Sequence, residues 1–411
     1  MKKHLYLLIL TTCIISCGKA KEAKTEDSKK EASLAYMKID PPDMSSLQPL
    51  RMSEFVDSVE YVQLETTDDC LLRFILSASH VEDFFLIYDG STIYKFDAIT
   101  GKFLHKIGRQ GQGPGEYAQQ LESFCVDDSK RIILKPHIIR SMMAFDYNGK
   151  FLNNIEFDNS DDSIFTELYD LSILEMDSKY MVFQASLMTA EDARQPNDVI
   201  VYDYINKKIM HTIPNRLGGK YERHSNRFGG IKTAKDGDNI FYKSFYNDTL
   251  YAIHKENGIT PCAVIDFGKY KVTDETFLSR DFMSDISGKL LINHLYLNNN
   301  FIFFHIFSWG YTYDFICKYD RNTGKLTYHS SHMINDIDGG ANLYLDGLSR
   351  GIGNVISEYD ITESENKKLF FLTLDKSELK YPELREKFER IHEKRDSEDN
   401  PLLMILHKKG E

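Results

Sequence analysis

The sequence predicts an all-β fold, a six-bladed β-propeller with four-stranded blades and one C-terminal surface helix inserted in the last blade. First, strand-forming aromatic residues are abundant, with 24 Tyr and 26 Phe among 411 residues. Second, alternating segments recur in pairs that are joined by Asp, Asn and Gly turns. Third, these pairs repeat at a spacing typical of propeller blades, which must stack radially to cover their apolar faces.

The N-terminus is predicted to be a lipoprotein signal peptide, residues 1–16. Lys2 and Lys3 precede a short apolar run, and Ile14-Ile15-Ser16-Cys17 resembles a bacterial lipobox. Cys17 is therefore the expected lipidation site, which would hold the protein on a membrane without a spanning helix. The alternative is an ordinary signal peptide in which this cysteine is incidental.

Residues 17–33 are predicted to be a disordered tether, because they are small and charged and contain no aliphatic side chain larger than alanine. The propeller is expected to occupy 34–411. The 62 acidic residues outnumber the 50 basic ones, and no basic block lies outside the tether and the C-terminal helix. Nucleic acid is therefore an unlikely class of partner.

The cysteines after the tether show no paired metal-binding spacing and lie mostly in apolar, strand-like contexts. They are Cys70, Cys125, Cys262 and Cys317. Buried free thiols are the expected state, although a disulfide in an exported protein stays open because spacing alone cannot pair cysteines.

The repeating unit is a hairpin whose first strand usually ends in aspartate. The predicted hairpins span 92–107, 142–157, 199–213, 249–267 and 315–329. Asp97 and Asp146 are 49 residues apart, Asp146 and Asp203 are 57 apart, and Asp320 follows two units later. Residues 59–408 would give about 58 positions to each of six blades and about 50 to each of seven, so six are expected.

The sequence also predicts how an N-terminal strand and the C-terminal strand pair to close the propeller ring. The segment 59–64 alternates well and is expected to pair with a final strand at 401–407, with another strand of the sixth unit at 368–374. Between them, Leu384, Phe388 and Ile391 form a one-sided apolar stripe within 378–395, which predicts a surface helix. The helix is expected to pack on the core; docking of a partner is the alternative.

A glycine-rich segment, 108–117, contains four glycines and a proline within its first eight residues and predicts a rigid connection between two blades. It lacks the ending of a P-loop and opens no helix, so it is not a phosphate cradle. Its polar side chains are ligand-binding candidates, namely Arg109, Gln110, Gln112, Glu116 and Tyr117. Equally, Arg109 and Glu116 could pair with each other and lock the loop.

The segment Ile107 to Tyr117, followed by Phe124-Cys125-Val126-Asp127, resembles the inter-blade segment of NHL-like or TolB-like propellers. With the lipobox and the ending Asp399-Asn400-Pro401-Leu402-Leu403-Met404, it is similar to the six-bladed β-propeller lipoprotein family of bacterial cell envelopes. The resemblance covers about 55–407. It implies a role in glycan uptake or envelope sensing and supplies no catalytic residues.

Further binding candidates are Trp309 and Tyr311, whose rings suit a sugar or a peptide, and Arg223 with His224. Packing against a neighbouring blade and a solvated loop are the respective alternatives. The histidines have no metal-binding spacing, and 336–340 offers too few local ligands for calcium, so neither a metal nor another cofactor is expected.

Three functional hypotheses follow. The first is a monomeric, lipid-anchored binding protein of the bacterial envelope, at the outer membrane, whose partner is a glycan or an envelope protein. The second is a polysaccharide lyase or hydrolase with its site at the mouth of the propeller channel. The third is a structural interaction scaffold. No serine-hydrolase elbow is present, and paired glycosidase carboxylates cannot be selected from sequence alone.

Overall fold

A computed structural model describes residues 34–118, 120–136, 141–156, 171–185, 197–215, 231–236, 239–244, 247–279, 281–310, 312–343, 352–356, 374–396 and 398–409. The predicted signal peptide, Cys17 and the predicted tether lie outside these residues.

The elements follow one another in chain order. First come β1 Ala35–Lys38, β2 Leu50–Arg51 and β3 Val56–Gln63, with 3-10 turns at Met44–Ser46 and Met52–Glu54. Blade 1 contains β4 Ser77–Val81, β5 Phe84–Tyr88, β6 Ile93–Asp97 and β7 Phe103–Ile107, and is followed by β8 Arg109–Gln110 and β9 Glu116–Tyr117. Blade 2 contains β10 Leu121–Val126, β11 Ile132–Pro136, β12 Ser141–Phe145 and β13 Phe151–Glu156. Blade 3 contains β14 Leu171–Met176, β15 Tyr180–Ala185, β16 Asn197–Asp203 and β17 Lys208–Pro214.

Blade 4 contains β18 Ile231–Asp236, β19 Asn239–Ser244, β20 Thr249–His254 and β21 Gly258–Asp266. A 3-10 turn at Gly268–Tyr270 and two short helices, α1 Asp274–Leu278 and α2 Phe282–Asp285, lead to blade 5. Blade 5 contains β22 Leu290–Leu297, β23 Phe301–Ser308, β24 Asp314–Asp320 and β25 Leu326–Ser330. The last elements are β26 Met333–Ile334, β27 Ile352–Ile356, a 3-10 turn at Lys376–Glu378, α3 Pro382–His392 and β28 Leu402–Lys408.

The protein is an all-β β-propeller with mostly four-stranded blades and few helices. A separate three-stranded sheet, here called the closing sheet, contains β27, β28 and β3. Val59 pairs with Leu406 and Gln63 with Leu402, which confirms the predicted closing and final strands. The described residues thus form five blades, one fewer than the sequence predicts; four are four-stranded sheets, and β1 adds a fifth strand to the sheet of blade 4. The strand expected at 368–374 falls outside the described residues, except for Leu374.

The predicted hairpins are confirmed as the third and fourth strands of blades 1 to 5. In blade 1, the Asp97 carboxylate accepts hydrogen bonds from the backbone N–H of Thr100 at 2.7 Å and of Ile99 at 3.1 Å. Asp146, Asp203 and Asp320 cap the corresponding turns in the same way. Because an aspartate side chain can complete such a turn, it recurs where the third strand ends.

Successive sheets pack face to face through buried apolar side chains. Neighbouring residues on the middle strands point to opposite faces, so each such strand serves two interfaces. The following residues of neighbouring sheets belong to the same apolar cluster: Phe85 and Leu403, Leu86 and Leu134, Ile133 and Phe183, Val182 and Tyr242, Phe241 and Phe304, and Phe303 and Met404. This double burial explains the uninterrupted apolar runs in the sequence.

Residues 34–55, here called the strap, follow the outer side of the molecule. β1 pairs in parallel with β21 at the outer edge of blade 4, and β2 pairs in parallel with β26. Between these strands, Met44 and Leu47 pack against the apolar cluster of blades 4 and 5. The strap therefore links the edge of blade 4 to the closing sheet, a connection that the sequence did not predict.

The predicted surface helix is confirmed as α3, which lies between β27 and β28 in the chain. Phe388 is only 2% exposed and packs on Tyr61, with 4.6 Å between ring centroids. Arg385 donates a hydrogen bond to the carbonyl of Gly339. The apolar stripe of this helix therefore packs on the core.

The four cysteines of the described chain are free thiols; Cys70 and Cys317 are buried as expected, whereas Cys125 and Cys262 are only partly buried. Burial raises the pKa of the Cys125 and Cys317 thiols and raises that of Cys262 to about 11. These thiols are therefore protonated at neutral pH and poorly nucleophilic.

Asp338 is a fully buried carboxyl beneath α3. Its Oδ1 accepts hydrogen bonds from Gly340 N–H at 2.9 Å and from Asn335 Nδ2 at 2.6 Å, whereas Oδ2 meets no donor among the described residues. Burial raises the pKa of Asp338, and the opposing effects of these donors, Tyr61 and Arg385 do not cancel that rise. The native state therefore binds a proton at Asp338 more tightly than the unfolded chain does.

We expect Asp338→Asn to remove this proton linkage. As pH rises from the ordinary aspartate pKa of 3.8, wild-type stability should fall relative to the variant, because the native carboxyl resists ionisation. Urea unfolding should show a higher midpoint for the variant near neutral pH and a difference that shrinks on acidification. A variant that is less stable at neutral pH would contradict this explanation.

Candidate functional site

A polar hollow of about 770 Å³ lies across blades 2, 3 and 4 and is the candidate site. It is lined by Val126, Asp127, Asp128, Glu175, Met176, Asp177, Ser178, Lys179, Tyr180, Lys235, His254, Lys255, Glu256 and Asn257. These residues come from the turns between first and second strands and from the turn between β20 and β21. The volume is in the range of about 300–1,000 Å³ that is usual for small-molecule sites.

The strand end and turn of blade 3 position the central carboxylates. The pairing of β14 with β15 shifts register between Ile173 and Glu175, and such a bulge changes the direction of the strand. The next turn is fixed by Asp177, whose Oδ1 accepts the N–H of Tyr180 at 2.6 Å and of Lys179 at 2.8 Å. Glu175 and Asp177 are thus held on a rigid corner.

Lys255 of blade 4 joins these two carboxylates. Its Nζ lies 2.8 Å from Glu175 Oε1 and 2.8 Å from Asp177 Oδ2. Lys235, at the end of β18, lies 3.1 Å from Glu175 Oε2. The centre of the hollow is therefore a network of two carboxylates and two ammonium groups that connects blades 3 and 4.

The network keeps Asp177 and Lys255 ionised. Burial alone would raise the pKa of Asp177, but the Lys255 ammonium and the Tyr180 and Lys179 N–H groups outweigh burial and lower it. Burial alone would lower the pKa of Lys255, but the Asp177 and Glu175 carboxylates outweigh burial and raise it. Both pKa values therefore move away from neutrality, whereas a general acid or base works best with a pKa near the operating pH.

The flanking charged groups are also engaged. Asp127 pairs with Arg131, with 2.6 Å between Oδ2 and Nη2. Lys179 donates to the Tyr180 hydroxyl at 2.6 Å and lies 3.9 Å from Asp203 Oδ2. Within the described chain, no group of three or more His, Cys, Asp or Glu residues is arranged to hold a metal ion.

The glycine-rich segment lies at the other end of the sheets, because it joins the fourth strand of blade 1 to the first strand of blade 2. β8 and β9 pair in parallel there. Arg109 Nε donates to Glu116 Oε1 at 2.5 Å, and Gly113 N–H donates to Glu116 Oε2 at 2.7 Å. The two charged candidates thus lock the loop together, as the alternative interpretation expected.

The remaining candidates of this loop differ in exposure. Gln110 and Gln112 are exposed, whereas Tyr117 is 1% exposed and donates its hydroxyl to the Ser91 carbonyl at 2.9 Å. Tyr117 is therefore a core residue. The structure brings Gln110 and Gln112 to the surface without placing either in the hollow.

Trp309 is half-buried and packs beside Phe282 and Ile286 of the helical segment before blade 5. Ser287 and Trp309 also form an isolated parallel bridge. Tyr311, Arg223, His224 and Cys17 lie outside the described residues.

The hollow itself was missed by sequence reasoning. A usable signal was present, because acidic residues directly follow the first strands of blades 2 and 3, in Val126-Asp127-Asp128 and Met176-Asp177. Turns at equivalent positions of neighbouring blades meet at one end of a propeller. Lys255 carried no such signal, since its approach to Glu175 depends on how blades 3 and 4 pack.

None of the helices in the described part of the chain combines the length and the apolar character needed to cross a bilayer.

Comparison with solved structures supports the fold. A protein from Bacteroides fragilis described as exported is 17% identical, with a TM-score of 0.58 over 91% of this chain and 99% of its own. A DUF4221 family member from Bacteroides vulgatus is 11% identical, with a TM-score of 0.40 over 75% and 92% of the two chains. The extracellular domain of a one-component system from B. thetaiotaomicron is 10% identical, with a TM-score of 0.37 over 70% and 32%. Only the first similarity is strong enough to support the fold, and at this identity it supports nothing more.

A search of curated proteins returned no match to the sequence. A family described as a domain of unknown function, DUF4934, matches residues 37–407, nearly all of the propeller. The chain therefore belongs to the DUF4934 family.

Proposed function

We propose that this protein is a non-catalytic ligand-binding β-propeller whose site is the polar hollow. The observation that carries the proposal is the Lys255 network, in which Lys255 pairs with Glu175 and Asp177 and the pKa values of Lys255 and Asp177 keep both ionised. Paired, rigid charges on a strand corner suit recognition of a polar ligand, because they are positioned before the ligand arrives.

The lyase or hydrolase hypothesis receives less support from this geometry. Glycoside hydrolysis needs one carboxyl with a raised pKa to protonate the leaving group. At the hollow, the pKa of Asp177 is lowered rather than raised. Asp338 does have a raised pKa, but it is buried under α3 and does not line the hollow.

We place the protein in the bacterial cell envelope, as a monomer anchored through Cys17 at the outer membrane. The lipobox motif and the charged segment 17–33 support this placement. The ligand is then a glycan or another envelope component that reaches the hollow from outside the cytoplasm. A purely structural scaffold is the alternative, and it would have no use for an organised polar hollow.

We also propose that the closing sheet is a sixth blade. β3 leads into blade 1, just as the fourth strand of each blade leads into the next blade. In the closing sheet, β28 runs antiparallel to β3, and β27 runs antiparallel to β28. β27 therefore runs in the direction of a second strand. An experimental structure in which β27 carries no further strand on the edge opposite β28 would refute the sixth blade.

The proposed function is tested by combining binding and turnover assays on the purified full chain. Neutral, acidic and amino sugars and their oligomers are titrated by calorimetry, and each mixture is then analysed by mass spectrometry. We expect binding without any change in ligand mass. Cleavage or elimination products that disappear in Asp177→Asn would instead establish the enzyme, and a panel without any binding would favour the scaffold.

A matched pair of variants locates the binding. Asp177→Asn keeps the Oδ1 acceptor of its turn and removes the charge that Lys255 contacts, so we expect affinity to fall about tenfold or more, equivalent to about 1.4 kcal/mol. Asp97→Asn makes the same change in a turn of blade 1 that does not line the hollow. Equal effects of the two variants would refute the assignment of the hollow.

A further inference from the structure

The charges that line the hollow are unequal. Five carboxylates, those of Asp127, Asp128, Glu175, Asp177 and Glu256, face three ammonium groups, those of Lys179, Lys235 and Lys255. Part of this difference is balanced by Arg131, which pairs with Asp127 from outside the lining. The lining is therefore acidic in balance but contains both signs of charge.

The lysines are already engaged. Lys255 is shared by Glu175 and Asp177, Lys235 contacts Glu175, and Lys179 is directed to Tyr180 and Asp203. Two other carboxylates of the lining, those of Asp128 and Glu256, are exposed at the rim of the hollow. Neither forms an ion pair with a lysine or arginine of the described chain, although the charge of Glu256 contributes to raising the pKa of Lys179. Two carboxylates at the edge of a concave surface attract a cationic ligand group.

The hollow offers no aromatic platform among its described lining residues. Tyr180 is its one phenol or phenyl ring and is 5% exposed, so a sugar face has almost no surface there on which to stack. Affinity must then come from hydrogen bonds and charge. Ser178, His254 and Asn257 supply donors and acceptors that suit hydroxyl groups.

We propose that the hollow binds a polyhydroxylated ligand that carries a protonated amine, which is the chemistry of an amino sugar. The amine binds at the rim, where the exposed carboxylates are those of Asp128 and Glu256, and the hydroxyls face Ser178, Asn257 and the Lys255 network. This inference rests on the proposed function, because it specifies the ligand class of the same site.

The test compares four probes on the full chain by calorimetry, namely glucosamine, N-acetylglucosamine, glucose and spermidine. We expect glucosamine to bind at least tenfold more tightly than its acetylated and neutral analogues, with an affinity that falls as salt rises, because exposed charges are screened. Spermidine has amines without a sugar ring and should bind more weakly than glucosamine.

Two double variants complete the test. Asp128→Asn with Glu256→Gln should abolish the preference for glucosamine over glucose while keeping the fold, since both side chains are exposed. Glu383→Gln with Glu386→Gln removes two exposed carboxylates of α3, outside the hollow, and should leave the preference unchanged.

Each outcome has one meaning. Equal binding of glucosamine and glucose that Asp177→Asn weakens would overturn the amine assignment and leave the proposed function standing. Spermidine binding as tightly as glucosamine would overturn the sugar component. If none of the four probes binds, the amino-sugar inference is refuted. The proposed function itself also falls if the wider sugar panel fails to bind.

Discussion

Gly101→Ala is expected to destabilise the protein by about 3 kcal/mol or more, because a methyl group there meets the closing sheet. Gly101 has a φ of +68° in the turn between β6 and β7, and a Cβ at this position would lie 1.9 Å from the Gln63 carbonyl oxygen. The Gly101 carbonyl also accepts the Glu65 N–H at 2.8 Å. This hydrogen bond holds the blade 1 turn against the chain that follows β3, so the two segments cannot move apart to accommodate a methyl group.

Gly324→Ala provides the matched control for this substitution. Gly324 occupies the same Thr-Gly-Lys turn in blade 5, with a φ of +70°, and its nearest neighbour is the Tyr319 hydroxyl at 3.9 Å. Gly324→Ala should lower the free energy of unfolding by only about 1–2 kcal/mol, which is the cost of placing a non-glycine residue in the left-handed region. Urea unfolding followed by far-UV circular dichroism measures both, and equal losses would show that contact with the closing sheet is not what matters.

Asn400→Asp is expected to have a comparably large effect, again about 3 kcal/mol or more, because it leaves the buried Cys70 carbonyl without a donor and puts a negative charge beside two carbonyl oxygens. The Glu65 carbonyl loses one of its two donors and keeps the Cys70 thiol at 3.2 Å. Asn400 is 1% exposed, and its Nδ2 donates hydrogen bonds to the backbone carbonyls of Glu65 at 2.6 Å and Cys70 at 2.8 Å. Its Oδ1 accepts the Leu72 N–H at 2.9 Å. One amide thus fixes the connection from the closing sheet to blade 1.

The control for this charge change is Asn153→Asp, on the exposed outer strand of blade 2, which should alter stability by no more than about 0.5 kcal/mol. The Asn400→Asp defect should also shrink on acidification, since a protonated carboxyl can again donate a hydrogen bond. A defect that does not respond to pH, or one equal to the control, would refute this role of Asn400.

Much of the fold followed from local chemistry. The recurring aspartates at the ends of third strands are visible in sequence because each one completes a turn within four or five residues, as Asp97 and Asp320 do. The closing strand was predictable because an alternating segment far from its partner still has only one open edge to fill. Features that depend on a few neighbouring residues were therefore predicted well.

The strap and the hollow could not be predicted in the same way. Four residues of β1 pair with β21 more than two hundred positions later, and no repeat or turn signal points to that edge. The hollow is formed where Glu175 meets Lys255, and that distance depends on the packing of two whole blades. The glycine-rich loop drew attention as a ligand site, but its two charged side chains neutralise each other.

The most direct test of the central claim is a crystal structure of the full chain soaked with a glucosamine oligosaccharide. We expect an intact ligand in the hollow, with an amine at the rim carboxylates of Asp128 and Glu256 and hydroxyls beside the Lys255 network. Density only at the glycine-rich loop, or a cleaved sugar in the hollow, would contradict it.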